Sequence, residues 1–162
     1  MKKQIICKDI NNKKFKVAAG KVSFRPSVYA LIIKNNKILL SPQWDGYDFP
    51  GGGVEIDETI EEALAREIYE ETGYIAKAEK LIYVGSNFFT TKNAIAKEYY
   101  WNCILIYYTA KIISGKISTA NFDEHEKIYM KKAEWIDIDK ALKLKFRNSV
   151  DSPALLKKAL QK

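Results

Sequence analysis

Nowhere in the 162-residue sequence do eighteen apolar residues run together, which excludes a conventional membrane-spanning helix. The opening MKKQIICKDINNKK lacks the apolar core and small-residue cleavage site of a secretory signal. A cytoplasmic protein without membrane association is the expectation. Cys7 and Cys103 stand far apart, with no CxxC pair and no histidine at metal-ligand spacing. This excludes a disulfide framework and a zinc site, and both thiols read as small buried hydrophobes. Negative charge is in deficit, at 20 acidic against 27 basic side chains, for a net charge of +7. The lysines are scattered (Lys13-Lys14, Lys131-Lys132, Lys157-Lys158), and no helix-turn-helix, zinc-finger or RNA-recognition pattern accompanies them. A dedicated nucleic-acid stripe is therefore not indicated.

What is present is enough apolar content, 47%, to build one core. No internal repeat or low-complexity linker divides the chain. The segments QIICKDI and KFKVAAG flank Asn11-Asn12 and suggest a hairpin within an N-terminal extension, residues 1–24, ahead of a single domain at residues 25–162. SVYALIIK and KILLSPQ flank Asn35-Asn36 as a second hairpin. Ile60, Leu64 and Ile68 then recur every four residues and predict a helix over 59–72, stopped at Thr72-Gly73. LIYVGSNFFT and EYYWNCILIYYTAKI read as strands, EKIYM as a short one. From Trp135 the pattern turns helical, and SPALLKKALQ opens with Ser152 as N-cap and Pro153 at the first helical position. The sum is an α/β fold with a mixed central sheet.

The scarce acidic residues are concentrated: Glu55, Asp57, Glu58, Glu61, Glu62, Glu67, Glu70 and Glu71 all fall within Gly52–Tyr74. At about 100° per residue, Glu67, Glu70 and Glu71 share one helix face and overlap the apolar stripe. Carboxylates packed together and partly buried repel one another, so a positive charge should lie between them. A hard divalent cation such as magnesium fits, with Arg66 able to hold Glu70 from one turn away. Gly51-Gly52-Gly53, just before the helix, can bring backbone close to a ligand or can be a plain tight turn.

With Gly52, Glu58, Arg66, Glu67, Glu70, Glu71 and Gly73 at these spacings, the segment resembles the Nudix box, GX5EX7REUXEEXGU, where U is bulky and aliphatic. Ile68 satisfies the first such position, and Tyr74 departs from the last. The chain is thus identified as a member of the Nudix hydrolase family, MutT-like, and the resemblance implies an α/β/α sandwich. It implies magnesium-dependent hydrolysis, with manganese as a substitute, of a nucleoside diphosphate linked to another moiety. Glu67, Glu70, Glu71 and the Gly52 carbonyl are the implied metal ligands, Arg66 orients the glutamates, and Glu58 is a secondary acidic position.

The general base is open between Glu67 or Glu70 on the helix and Glu124 or Glu126 beside the only histidine, His125. For substrate binding the candidates are Arg25, Trp44 and Phe89, with Phe88, Tyr99 and Trp101 as further stacking or core aromatics. Removal of pyrophosphate from 5′-phosphorylated RNA and a non-catalytic nucleotide-sensing module are the alternatives. The family also suggests a homodimer.

Overall fold

The computed structural model describes residues 3–92, 98–122, 124 and 126–161, the side chain of residue 126 excepted. It opens with an antiparallel hairpin, β1 (Gln4–Lys8) and β2 (Lys14–Ala18), turning through Asn12 at φ 62°. Next come β3 (Ser23–Leu31), β4 (Ile33–Lys34), β5 (Lys37–Gln43), β6 (Gly46–Asp48) and β7 (Gly51–Gly53). Helix α1 (Ile60–Thr72) is followed by two long strands, β8 (Tyr74–Thr90) and β9 (Tyr100–Gly115). The chain ends with α2 (Glu126–Tyr129), β10 (Glu134–Asp137), α3 (Ile138–Ala141) and α4 (Ser152–Leu160).

Six strands form a mixed sheet in the order β2, β1, β8, β9, β3, β7. Within it β3 runs parallel to β9 and β1 parallel to β8, while the other neighbours are antiparallel. A smaller sheet orders β10, β5 and β4, with β6 also on β5.

Side chains alternate across a strand, so one strand can serve two cores. Val28 and Ala30 of β3, with Ile32, pack with Leu64 and Ile68 of α1. Leu31, from the opposite face of β3, packs with Leu40, Tyr107 and, from α4, Leu155 and Leu156. Helices on both faces of the sheet give the α/β/α arrangement. No helix among the described residues is long and apolar enough to cross a membrane.

Helix α1 is bounded by local chemistry. The Thr59 side chain accepts from the Glu62 N–H while the Glu62 carboxylate accepts from the Thr59 N–H, a reciprocal capping box. Gly73 closes the helix in the left-handed conformation, φ 77°, and its N–H donates to the Tyr69 carbonyl. At the helix exit Tyr74 meets the Trp135 ring edge-on at 6.2 Å, so its departure from an aliphatic residue is absorbed in packing.

Four sequence expectations change. Asn35 and Asn36, at φ 50° and 57°, do make the expected turn, but only β4 pairs across it, because β3 is taken by β7 and β9. EKIYM is one turn of helix, α2, not a strand; Ile128 points to solvent at 80% exposure, and only Met130 bridges to Gln43. The segment from Trp135 begins as β10, because the backbone of β5 offers an edge to residues 134–137, and turns helical only at Ile138. The cap of α4 is Asp151, which accepts from the Ala154 N–H. Ser152 is instead the first helical residue, buried and donating to Asn148 Oδ1.

The capping box makes a measurable contribution to the helix that carries the acidic residues. Replacing Thr59 with alanine is expected to cost about 1 kcal/mol of stability. Urea unfolding should show a lowered midpoint with an unchanged slope.

Candidate active site

The positions of α1 and the glycine turn define a cleft of ≈ 520 Å³ whose walls include Gly52, Arg66, Glu67, Glu70 and Glu71. Pairing of β7 with Ser27, Val28 and Tyr29 of β3 fixes the turn against the sheet. Gly51 adopts φ +148°, and a Cβ there would lie 2.2 Å from the Val28 carbonyl oxygen. At Gly52 a Cβ would lie 2.5 Å from Glu67 Oε1, so only glycine lets the turn approach this carboxylate so closely.

Arg66 organises the acidic groups. Its Nε and Nη2 donate to the two oxygens of Glu58 at 2.5 and 2.8 Å, a fork-to-fork pair. Nη1 donates to Glu67 Oε1 at 2.9 Å and Glu70 Oε2 at 3.0 Å, and Nη2 also donates to the Gly53 carbonyl at 3.0 Å. The guanidinium holds the Glu58 carboxyl down at about 2, and the carboxylates in turn raise the pKa of Arg66. Glu71 is buried from the other side, where the Ser41 hydroxyl donates to its Oε2 at 2.7 Å. Glu67 is also buried, whereas the Glu70 side chain remains 35% exposed.

Among the described residues no three acidic, histidine or cysteine side chains converge as a closed metal cage. Arg66 explains this, since Glu58, Glu67 and Glu70 all turn an oxygen towards its guanidinium. The donor chemistry nevertheless suits a hard cation: three carboxylates and glycine backbone share one cleft, and the residue facing Glu67 is one with no side chain to exclude a ligand.

Arg25 reaches the cleft; its Nη1 donates to Ser27 Oγ at 2.6 Å, and its guanidinium lies 5.0 Å from the centre of the Trp101 ring. Phe89 lies outside the cleft, in an adjoining cavity, stacked on Trp101 at 6.2 Å and 5°. Trp44, 45% exposed and at φ 48°, packs on Tyr129 at 5.0 Å; Tyr129, and not Trp44, lines the cleft. Glu124 is not brought to the cleft: it is exposed and accepts from Lys127 at 2.5 Å. His125 and the side chain of Glu126 lie outside the described residues.

Two participants had no role in the sequence reading. Ser41 is a polar residue in the apolar run KILLSPQ, and its burial against Glu71 is the reason. Asp48 precedes Phe49-Pro50-Gly51 and is 7% exposed; burial pushes its carboxyl up to about 6, against hydrogen bonds from Asn148, Phe49 and Gln43 that favour the anion.

Comparison with known proteins gives a family-model match, NUDIX domain, over residues 23–157. An ADP-ribose pyrophosphatase of Methanocaldococcus jannaschii is 34% identical over 125 residues, 74% of this chain and 66% of that protein. An RNA pyrophosphohydrolase of Histophilus somni is 33% identical over 72 residues, 43% of this chain and 38% of that protein. A crystal structure of a UDP-X diphosphatase superposes with a TM-score of 0.62 at 24% identity, covering 86% of this chain and 64% of that one, and shows the shared fold. The chain thus spans just under two thirds, or less, of the length of each of these relatives.

The depressed Glu58 carboxyl has a consequence for stability. A carboxyl held below its ordinary 4.5 in the folded protein stabilises the fold above that value and loses the contribution as pH falls towards about 2. In a chelator, without divalent cations, the difference in urea midpoint between the wild type and Glu58→Gln should be constant above pH 4.5 and shrink below it.

Proposed function

The chain belongs to the Nudix family, and from that membership we propose that it is a magnesium-dependent hydrolase of a diphosphate linking a nucleoside to another moiety. The observation that carries this reading is the position of Glu67, Glu70 and Glu71 in one cleft with the glycine turn, braced by Arg66. Glu67, Glu70, Glu71 and the Gly52 carbonyl would hold the cation. When bound, it supplies positive charge that offsets the diphosphate and favours deprotonation of the attacking water.

The chain's own groups supply the rest. Arg25, at the rim of the cleft, offers a guanidinium to a phosphate oxygen. Arg66 fixes one oxygen of Glu70, leaving this partly exposed carboxylate oriented in the cleft. Glu70 is therefore favoured over Glu124 as the group that takes the proton from water. The water oxygen forms a bond to phosphorus in line with the bridging oxygen, and the bond to that bridging oxygen breaks. Two phosphate-bearing products leave.

The ADP-ribose pyrophosphatase relative supports a small nucleotide-type substrate. A second reading, pyrophosphate removal from the 5′ end of RNA, draws on the Histophilus somni relative and the net charge of +7. A panel of nucleotide sugars, dinucleoside polyphosphates and 5′-triphosphorylated RNA, assayed with magnesium, separates the two by which substrate turns over.

Glu70→Gln keeps the size of the side chain and one oxygen near Arg66, but removes the carboxylate. Turnover of the best substrate should fall by about 10²–10⁴-fold with circular dichroism unchanged. Near-normal turnover would remove Glu70 from the mechanism.

A further inference from the structure

Along the chain the lysines are scattered, but the balance of charge is not. Residues 1–24 hold seven lysines and one acidic residue, Asp9, and so carry +6 of the chain's net charge of +7. The remaining residues nearly balance, at 20 basic against 19 acidic. The hairpin itself, β1 and β2, lies before the region matched by the family model, residues 23–157. Asp9 is held in its turn, where Oδ1 accepts from the Asn11 and Lys13 N–H groups at 2.9 Å.

The hairpin sorts these charges by face. Directly opposed residues of an antiparallel pair share a face, and the register sets Lys8 opposite Lys14 and Lys16 opposite Ile6. Ile6 and Lys8 are two residues apart on β1, so all four side chains project to one side. Cys7 and Val17, at alternate positions, are buried on the other. Lys8, Lys14 and Lys16 are exposed, and among the described residues none of the three forms an ion pair.

This basic face is continuous with the carboxylate cleft. Ile6 and Lys8 wall a cavity of ≈ 360 Å³ whose opposite wall, Arg25 and Trp101, is shared with the cleft. Phe89 and Trp101, stacked at 5°, line the passage between them, and pairing of Lys8 with Phe89 fixes the hairpin there. Across the sheet β1 and β2 lie three and four strands from β3, which carries Arg25. At about 4.8 Å per strand these are separations of roughly 14 and 19 Å, further than one nucleotide extends and within the span of a short strand.

We infer that the N-terminal hairpin docks the sugar-phosphate backbone of a single-stranded RNA, with Lys8, Lys14 and Lys16 neutralising phosphates downstream of a 5′ end held in the cleft. The inference rests on the reading of the cleft as a diphosphate site and deepens the second reading above. Lysines on one face beside stacked aromatics are the combination that holds single strands without regard to sequence. An RNA 5′ end carries a di- or triphosphate, so one chain presents both the group for the cleft and the phosphates for the hairpin. A lipid bilayer is the other extended polyanion, but it is planar and does not enter the concave passage that joins the two sites.

Fluorescence anisotropy tests this without hydrolysis, on the full chain in a chelator, with a 3′-labelled, 5′-triphosphorylated RNA of about twelve nucleotides. Affinity should fall as salt rises. The triple variant Lys8→Gln, Lys14→Gln, Lys16→Gln should weaken binding about tenfold or more at low salt, and flatten the plot of log affinity against log salt by about 2, at roughly 0.7 per phosphate contact. Lys77→Gln, Lys111→Gln, Lys116→Gln removes the same charge near the far end of β8 and β9 and should leave the affinity within about threefold. A 5′-triphosphorylated dinucleotide, too short to span from cleft to hairpin, should bind the hairpin variant and the wild type alike. Removing like charges that face one another leaves the core untouched, so the melting temperature of the hairpin variant should match or exceed that of the wild type.

Equal weakening by the two triple variants, an unchanged salt slope in the hairpin variant, or loss of dinucleotide binding in it would overturn the inference. So would hairpin-dependent binding of phosphatidylcholine–phosphatidylserine vesicles with no binding of the RNA, which would make the partner a lipid surface. Hairpin-dependent RNA binding without turnover of any diphosphate would leave the docking surface standing and refute the hydrolase reading. Turnover without hairpin-dependent RNA binding would do the reverse.

Discussion

The guanidinium of Arg66 ties together three pieces of chain: the glycine turn through the Gly53 carbonyl, the loop before the helix through Glu58, and the helix through Glu67 and Glu70. A lysine could not make these contacts at once. Its ammonium is a point charge, whereas the planar fork gives paired bonds to Glu58 on one edge and still directs Nη1 to the helix carboxylates. The acidic site is therefore preorganised by one cation of the protein itself.

That arrangement depends in turn on the sheet. β3 supplies the edge on which β7 lies, and β7 carries Gly52 to Glu67. The same strand sends Val28 and Ala30 towards α1 and Leu31 towards the core that includes α4, so the helix with the carboxylates is packed on a surface backed from behind. Leu64 and Ile68 are fully buried in that contact, each contributing about 1.5–3 kcal/mol. A slip of one residue in β3 would exchange its two faces, displacing the glycine turn and the helix together. Fold and site share one register.

The sequence made the site legible because its signals are local. Helix α1, its Gly73 stop, the burial of Leu64 and Ile68, and the Arg66–Glu70 contact all follow from spacing within one segment. Ser41 and Asp48 were not legible, since a buried polar side chain within a strand means nothing until its distant partner, Glu71 or Asn148, is in place. The same limit explains the segment after Met130. WIDID carries both a strand and a helix period, and the vacant edge of β5 decided in favour of the strand. In EKIYM, one buried residue beside an exposed Ile128 was too little apolar pattern to define an element.

The placement of Glu70 and Glu71 is unfavourable for the helix that carries them. Both sit in the last turn of α1, where the negative end of the helix dipole repels anions, and no basic residue occupies that turn. Glu71 is also desolvated, at 6% exposure, with the Ser41 hydroxyl as one of its partners. A helix selected only for stability would carry lysine or arginine in its last turn, and a chain with 27 basic side chains has no shortage of them. The capping box and the two buried aliphatics offset this cost from elsewhere in the same helix, so the strong start of α1 and its ill-favoured end belong to one design. Local instability concentrated on one face, in a fold otherwise consistent from propensity to packing, is the pattern expected where residues are retained for chemistry.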